Sequence, residues 1–170
     1  MKRILVAGVG NMFLGDDGFG GAVVERLAKS ARREDVDIVD FGIRGVDLTF
    51  ALLNGYDAAI LVDIAQRGGA PGTLYVIQPK ISPSSDPQAT LSDAHSAHPA
   101  RVLSFVNAIG GGVDHVVVVA CEPTVVAHDE PEVVIGLSAA VDAAIDPAVA
   151  LIESLLVDLR NESREVLRDA

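Results

Sequence analysis

The stretch RILVAGVGNMFLGDDGFG, residues 3–20, decides the fold of this chain. Its first residues form a short apolar run that ends at Gly8, which is typical of a buried strand. A helix is predicted from Asp17 to Arg33, because apolar residues recur there at helical spacing. A strand, a glycine-rich turn and a helix in this order are typical of an α/β protein that binds its ligand at the turn.

The rest of the chain continues this alternation of strands and helices, which predicts a three-layer α/β/α domain with a mostly parallel sheet. We expect one domain over residues 1–160, followed by a charged, frayed tail over residues 161–170. Four prolines and no periodicity between Pro79 and Pro99 predict a long, functional loop. The other predicted strands are Val36–Asp40, Ala58–Asp63, Thr73–Gln78 and His115–Cys121, and the other predicted helices are Val46–Leu53, Arg101–Ile109 and most of the chain after Pro131.

Composition excludes several classes of protein. The formal net charge is −11, so phosphate backbones and anionic membranes are repelled, and we expect neither nucleic acid nor membrane as a partner. The single cysteine, Cys121, rules out an intrachain disulfide and a cysteine metal cluster. The N-terminal apolar run is too short for a signal peptide, and no stretch reaches the roughly 20 residues of a membrane span. These features predict a cytoplasmic protein.

The segment Gly8–Asn11 imitates a dinucleotide-binding fingerprint, with Asp40 placed where a ribose-binding acid belongs. The full motif fails, because Phe13 stands at the position of the third glycine. Asp16 and Asp17 at the start of the following helix also place negative charge where a pyrophosphate would bind. A dinucleotide-binding module therefore remains a weaker alternative.

A metal site is the more interesting hypothesis for the acidic residues. Asp17 follows the first strand and Asp63 ends the strand Ala58–Asp63, so both lie at the carboxyl edge of a parallel sheet. His95, in the long loop, is able to complete a site of two oxygens and one nitrogen for a borderline divalent metal. The competing interpretations are that Asp63 caps the following turn and that one of Asp16 and Asp17 caps the helix.

Nucleophilic sites are less well supported. The chain has no G-x-S-x-G motif, which excludes a serine nucleophile elbow, and no H-E-x-x-H motif of zinc proteases. Cys121 at a strand end is a conceivable nucleophile, but a buried cysteine more often packs as a small apolar residue. No separate nucleophile is predicted.

Five blocks together resemble the maturation endopeptidases of [NiFe] hydrogenases, in matching order and spacing up to about Leu159. The opening pattern G-x-G-N followed by D-D-G-x-G is fairly specific, and the combination of blocks is more so. The blocks are GVGNMFLGDDGFG (8–20), DFGIRGVDL (40–48), ILVDIA (60–65), PGTLYVI (71–77) and DAHS (93–96).

This resemblance implies a twisted, mostly parallel five-stranded sheet of the phosphorylase/hydrolase-like type. It implies an endopeptidase that removes the C-terminal extension of the hydrogenase large-subunit precursor once nickel is inserted. Nickel, supplied by the substrate, would be the recognition signal, contacted by Asp17, Asp63 and His95, and no organic cofactor would take part. These three residues are also the best candidates for catalysis, while Asp40 and Gly42 are candidates for substrate binding. A non-catalytic chaperone of the metal-loaded precursor is a further alternative.

One position departs from the family pattern. Relatives often carry aspartate where this chain has His98, so two histidines compete for the ligand role in the loop. Pro99 favours the first turn of a helix, which predicts that His98 is the N-cap and His95 the ligand.

Overall fold

The computed structural model describes residues 3–30, 33–79, 98–124 and 133–166, with side chains as far as residue 161. Strands and helices alternate through most of this range, as the sequence predicts. In chain order the elements are β1 (Ile4–Val9), a 3-10 turn (Gly15–Gly18), α1 (Phe19–Ala28), β2 (Val36–Gly42), α2 (Gly45–Leu53), β3 (Ala58–Ile64), β4 (Leu74–Ile77), α3 (Pro99–Ala108), β5 (His115–Cys121), α4 (Ala139–Asp142) and α5 (Ile145–Val166).

The five strands form one sheet in the order β2-β1-β3-β5-β4. All neighbours are parallel except β4, which runs antiparallel to β5 at the edge. Near its carboxyl end, β1 pairs Gly8 with Asp40 of β2 and with Val62 of β3. The carboxyl ends of these three strands therefore meet at one edge of the sheet, and the predicted mostly parallel sheet is confirmed.

Alternate residues of β1 enter two separate cores, because successive side chains of a strand point to opposite faces. Ile4 and Val6 pack in a core that includes residues of α1 and α5. Leu5 and Ala7 pack on the other face with residues of α2 and α3. All four side chains are completely buried. Helices cover both faces of the sheet, so the predicted three-layer architecture is confirmed.

The predicted first helix, from Asp17 to Arg33, is too long at both ends. Residues Gly15–Gly18 form a 3-10 turn, and the α-helix begins at Phe19. It ends at Ala28, after which the backbone hydrogen bonds join residues three apart, as in a 3-10 turn. The amide of Ser30 donates to the carbonyl of Leu27 at 3.0 Å. The two acidic residues therefore lie in the turn before the helix.

The chain after Pro131 is less helical than predicted. Val134 forms a parallel bridge to Leu14, and residues 133–138 contain no helix, with a bend at Gly136 before the short helix α4. The last helix begins at Ile145 with Pro147 in its first turn, where proline is tolerated. It continues to Val166, into the range predicted to fray. Of the helices described, none combines the length and apolarity that crossing a membrane requires.

Two glycines allow the start of α1 to lie close to the sheet. A Cβ added at Gly20 would lie 2.3 Å from the carbonyl oxygens of both Val9 and Val62. A Cβ added at Gly8 would lie 2.5 Å from the carbonyl oxygen of Gly20. Only glycine permits this approach of two backbones, and it holds the 3-10 turn against the carboxyl ends of β1 and β3.

Candidate functional site

The candidate site lies where the order of the strands reverses. The chain passes from β1 to β2 on one side and then returns to β3 on the other side of β1. In open α/β sheets such a switch point leaves a crevice beyond the carboxyl ends of the strands, where ligands bind. Asp17 follows β1 and Asp63 lies near the end of β3, so both face this edge of the sheet, as predicted.

Asp63 is a buried carboxyl group, with only 7% of the residue exposed. Its Oδ1 accepts a hydrogen bond from the amide of Ile64 at 2.8 Å. Burial, against the opposing effect of the Ile64 amide and with a smaller contribution from the negative charge of Asp17, raises the pKa of Asp63 to about 7. The structure thus brings the two predicted carboxylates within electrostatic reach of each other.

Asp17 is held in place by the loop that precedes it. Its Oδ2 accepts a hydrogen bond from the amide of Asn11 at 2.7 Å. Gly10 makes this possible: its φ is +117°, and a Cβ there would lie 1.9 Å from the carbonyl oxygen of Asp17. The loop therefore folds tightly back on the turn and fixes the carboxylate at the crevice.

The third predicted ligand, His95, lies outside the described residues. Within residues 3–30, 33–79, 98–124 and 133–166, no group of three or more His, Cys, Asp or Glu side chains is placed to hold a metal. Asp17 and Asp63 supply two carboxylates at the crevice, and a metal site formed by these two residues and His95 stays a prediction.

His98 occupies the N-cap of α3, as predicted from the sequence. Its backbone is non-helical, with φ −59° and ψ 124°, and Pro99 is the first residue of the helix. The amides of Arg101 and Val102 donate to its carbonyl oxygen at 3.0 and 3.1 Å. Its side chain makes no capping hydrogen bond, which agrees with histidine being a weaker cap than aspartate.

Asp16 does not cap the helix, which corrects one of the interpretations of the acidic pair. The α1 helix has Gly18 as its N-cap, and no side chain caps it. Asp16 is instead 8% exposed and accepts hydrogen bonds from the amides of Thr124 at 2.9 Å and Ser138 at 2.7 Å. The Ser138 hydroxyl lies 3.0 Å from the same carboxylate. Asp16 therefore ties two distant loops to the turn that carries Asp17.

Replacing Asp16 with asparagine is therefore expected to destabilise the fold by about 1–3 kcal/mol. The side-chain NH2 group of asparagine is a donor, and it would face the amides of Thr124 and Ser138, which are donors as well. Urea unfolding of Asp16→Asn beside wild type measures the loss. Asp142→Asn, on the short helix α4, is a matched control. An unchanged midpoint would show that the bonds to Thr124 and Ser138 contribute nothing.

Asp40 and Gly42 form a turn at the same edge. Asp40 Oδ1 accepts a hydrogen bond from the amide of Gly42 at 2.9 Å, and Gly42 adopts a φ of +55°. The carbonyl of Gly42 accepts the amide of Gly10 at 3.0 Å, which joins the ends of β2 and β1. Asp40 is exposed, so the turn presents a carboxylate beside the crevice.

Sequence reasoning missed Glu122, a buried carboxylate that shapes the turn after β3. Only 2% of the residue is exposed. It accepts the hydroxyl of Tyr75 at 2.7 Å and the amides of Arg67 and Gly68, the shortest at 2.9 Å. The Tyr75 hydroxyl, followed by these amides, holds the pKa of Glu122 below its usual range despite burial. The signal in the sequence was a charge directly after the apolar strand β5.

The hydrogenase maturation protease family model matches residues 22–155 of the chain. The chain belongs to this family. The hydrogenase 2 maturation protease of Escherichia coli is 32% identical over 169 residues, which covers 97% of this chain and 95% of that protein. A putative hydrogenase maturation protease of Methanocaldococcus jannaschii is 32% identical over 152 residues, covering 89% and 94% of the two chains.

Solved structures of maturation proteases share the fold. The hydrogenase maturating endopeptidase HybD of E. coli superposes with a TM-score of 0.68 at 30% identity, covering 94% of this chain and 93% of that one. A hydrogenase 2 maturation peptidase from a Thaumarchaeota archaeon gives a TM-score of 0.65 at 30% identity, with 91% and 98% covered. The five-stranded α/β sheet is therefore the family architecture.

In this member of the maturation protease family, Cys121 is a core residue. It is completely buried in the core beneath α1 and α5. Burial, together with the negative charges of Asp16 and Glu122, raises the pKa of its thiol to about 11. A thiol with this pKa is almost entirely protonated at neutral pH, so Cys121 is not an activated nucleophile.

The structure also argues against dinucleotide binding. The amide of Asn11, in the loop that would hold a pyrophosphate, is already occupied by the carboxylate of Asp17. A phosphate at this position would meet that negative charge directly. The glycines Gly8 and Gly20 serve the close packing of α1 on the sheet instead.

Proposed function

We propose that this maturation protease removes the C-terminal extension of a [NiFe]-hydrogenase large-subunit precursor after nickel insertion. Nickel in the precursor is the recognition signal, and Asp17, Asp63 and His95 contact it. The observation that carries this proposal is the pair of neighbouring carboxylates at the switch point, one of which is buried.

The charge of the site favours a cation. Two nearby carboxylates repel each other, and burial makes ionisation of Asp63 costly, so a divalent cation between them offsets both effects. Oxygen ligands from Asp17 and Asp63 with an imidazole nitrogen from His95 suit a borderline metal such as nickel.

The nickel is part of the substrate in this proposal. A site with three protein ligands and open positions has modest affinity of its own, so the precursor holds the metal and presents it. No organic cofactor is required. The protein thereby distinguishes a loaded precursor from an empty one before it cuts.

Asp63 is the first candidate for proton transfer in the cut. Before the precursor binds, the pKa of Asp63 lies near 7. Contact with nickel favours the ionised carboxylate, which is the form that can accept a proton from a water molecule as a general base. Asp40 and Gly42 are the candidates for contact with the precursor chain near the cut, because their turn borders the crevice.

We expect nickel dependence to reside in the precursor. Incubation of the protein with nickel-loaded precursor should release the C-terminal peptide, whereas precursor purified without nickel should remain intact. Mass spectrometry of both reactions gives the masses of the products. Adding nickel to the protein alone, before it meets an empty precursor, is the control and should not restore cleavage.

Two results would contradict the proposal in different ways. Efficient cleavage of the nickel-free precursor would remove nickel as the recognition signal. Stable binding of the loaded precursor with its tail left intact would identify a chaperone of the metal-loaded subunit instead of a protease.

A further inference from the structure

Two exposed apolar segments border the crevice. The first is Met12–Leu14 in the loop after β1, and the second is Val133–Ile135 in the extended chain before α4; together they are called the rim. Met12 is 65% exposed and Ile135 is 79% exposed. Clustered apolar side chains of this size on a surface mark sites of interaction with another chain.

The rim also carries an unpaired backbone edge. The amide of Val134 donates to the carbonyl of Phe13 at 2.9 Å, and the carbonyl of Val134 accepts the amide of Gly15 at 2.7 Å. In extended chain, neighbouring residues direct their polar groups to the opposite side. Within the described part of the chain, no backbone group bonds to the amide or carbonyl of Val133 or Ile135. This edge is available to pair with an added strand.

A groove of about 500 Å³ runs from the rim along α1. Met12 and Ile135 of the rim line this groove, and so does Gly21 of α1. The carboxylates of Asp40 and Glu25 also line the groove, while none of the described lining residues is a lysine or arginine. Glu25 already forms a salt bridge with Lys29 at 3.1 Å, so the exposed carboxylate of Asp40 supplies the negative charge that complements a cationic side chain in this largely apolar groove.

We propose that the rim and groove bind an extended segment of the precursor, which pairs as an added strand with Val133–Ile135. Apolar side chains of that segment cover the rim, and a lysine or arginine faces Asp40. A second copy of this chain fits less well, because two chains that each carry a net charge of −11 repel each other. This inference rests on the proposed function, since it names the part of the substrate that is held.

Three variants test the surface. Ile135→Pro removes an amide from the free edge; the preceding Val134 is already extended, and proline is tolerated at solvent-facing edges. Ile135→Asp places a charge on the rim. Gly21→Leu places a large side chain in the groove, and its Cβ would lie 3.2 Å from the Asp40 carboxylate. Val157→Asp, at a 53% exposed apolar residue of α5, is the matched control.

Steady-state processing of nickel-loaded precursor should distinguish variants of the rim and groove from the control variant on α5. For Ile135→Pro, Ile135→Asp and Gly21→Leu, KM should rise roughly tenfold, as expected for the loss of a central contact, with kcat nearly unchanged. Val157→Asp should behave as wild type. Far-ultraviolet circular dichroism and thermal melts check that each variant is folded, and any one folded rim or groove variant suffices for the test.

The failure of this inference differs from the failure of the proposed function. If wild type cleaves the precursor and every folded variant keeps the wild-type KM, the rim does not bind substrate. If wild type binds the loaded precursor in calorimetry without cutting it, the proteolytic function fails. In that case weaker binding by Ile135→Pro still supports the rim, and equal binding overturns it.

Discussion

Asp63→Asn is expected to lower the rate of precursor processing by about 30-fold or more, since removing one charged partner of a buried polar contact costs roughly 2–5 kcal/mol and about 1.4 kcal/mol corresponds to a factor of ten. Asparagine keeps the shape and still accepts the amide of Ile64, so the fold should survive. Asp17→Asn should lose activity in the same way. Normal processing by either variant would show that the carboxylates at the switch point do not serve the reaction.

Asp63→Asn should also stabilise the folded protein, and the increase in the free energy of unfolding should depend on pH. The folded protein holds the proton on Asp63 up to a pKa of about 7, whereas in the unfolded chain the group ionises near its ordinary pKa of 3.8. Between these values the folded state binds more protons, so the stability of wild type falls as pH rises. The asparagine variant does not titrate and avoids this loss.

Thermal melts at two pH values measure this effect. Above pH 7 the variant should be more stable by an amount on the order of 4 kcal/mol at most, from about 1.4 kcal/mol for each unit of pKa shift. Below pH 4 the difference should vanish, because the carboxyl is protonated in both states. Asp158→Asn, at an exposed position of α5, is the control for removing a carboxylate that is not buried. A difference that does not grow with pH would refute burial as the cause.

His95→Ala is expected to abolish nickel-dependent processing, because it removes the predicted nitrogen ligand while two carboxylates remain. His98→Asp should keep the activity and raise stability by about 0.5–1 kcal/mol, since aspartate is a stronger N-cap. The structure supports the second half of this prediction: His98 lies at the N-cap of α3 without a capping side-chain bond. Processing of nickel-loaded precursor and a thermal melt of each variant give the two readouts.

The two histidines control for each other in this experiment. An active His95→Ala together with an inactive His98→Asp would assign the ligand role to the other histidine. The alignment of the loop with the family would then have to shift by about one helical turn. Loss of activity in both variants with intact folds would mean that the N-cap of α3 also contributes to the site.

The sequence by itself determined the sheet and the place of the site. Short apolar runs bury both faces of β1, β3 and β5, and their alternation with helices leaves a parallel arrangement as the natural solution. A carboxylate at the end of such a run must lie at the carboxyl edge. The convergence of Asp17 and Asp63 was therefore predictable from the periodicity of the chain and the rule for strand ends.

Only the tertiary structure decided which groups the adjacent carboxylates of Asp16 and Asp17 bind. Asp16 and Asp17 are adjacent in sequence, yet Asp16 bonds to Ser138, 122 positions away, while Asp17 bonds to the loop six residues before it. The pKa of Asp63 and the unpaired edge at Val133–Ile135 likewise depend on which distant segments pack together. Local patterns specify helices and strands because their hydrogen bonds and apolar faces repeat over a few residues. Burial and long-range pairing arise only when the whole chain has folded, and they fix the roles of individual side chains.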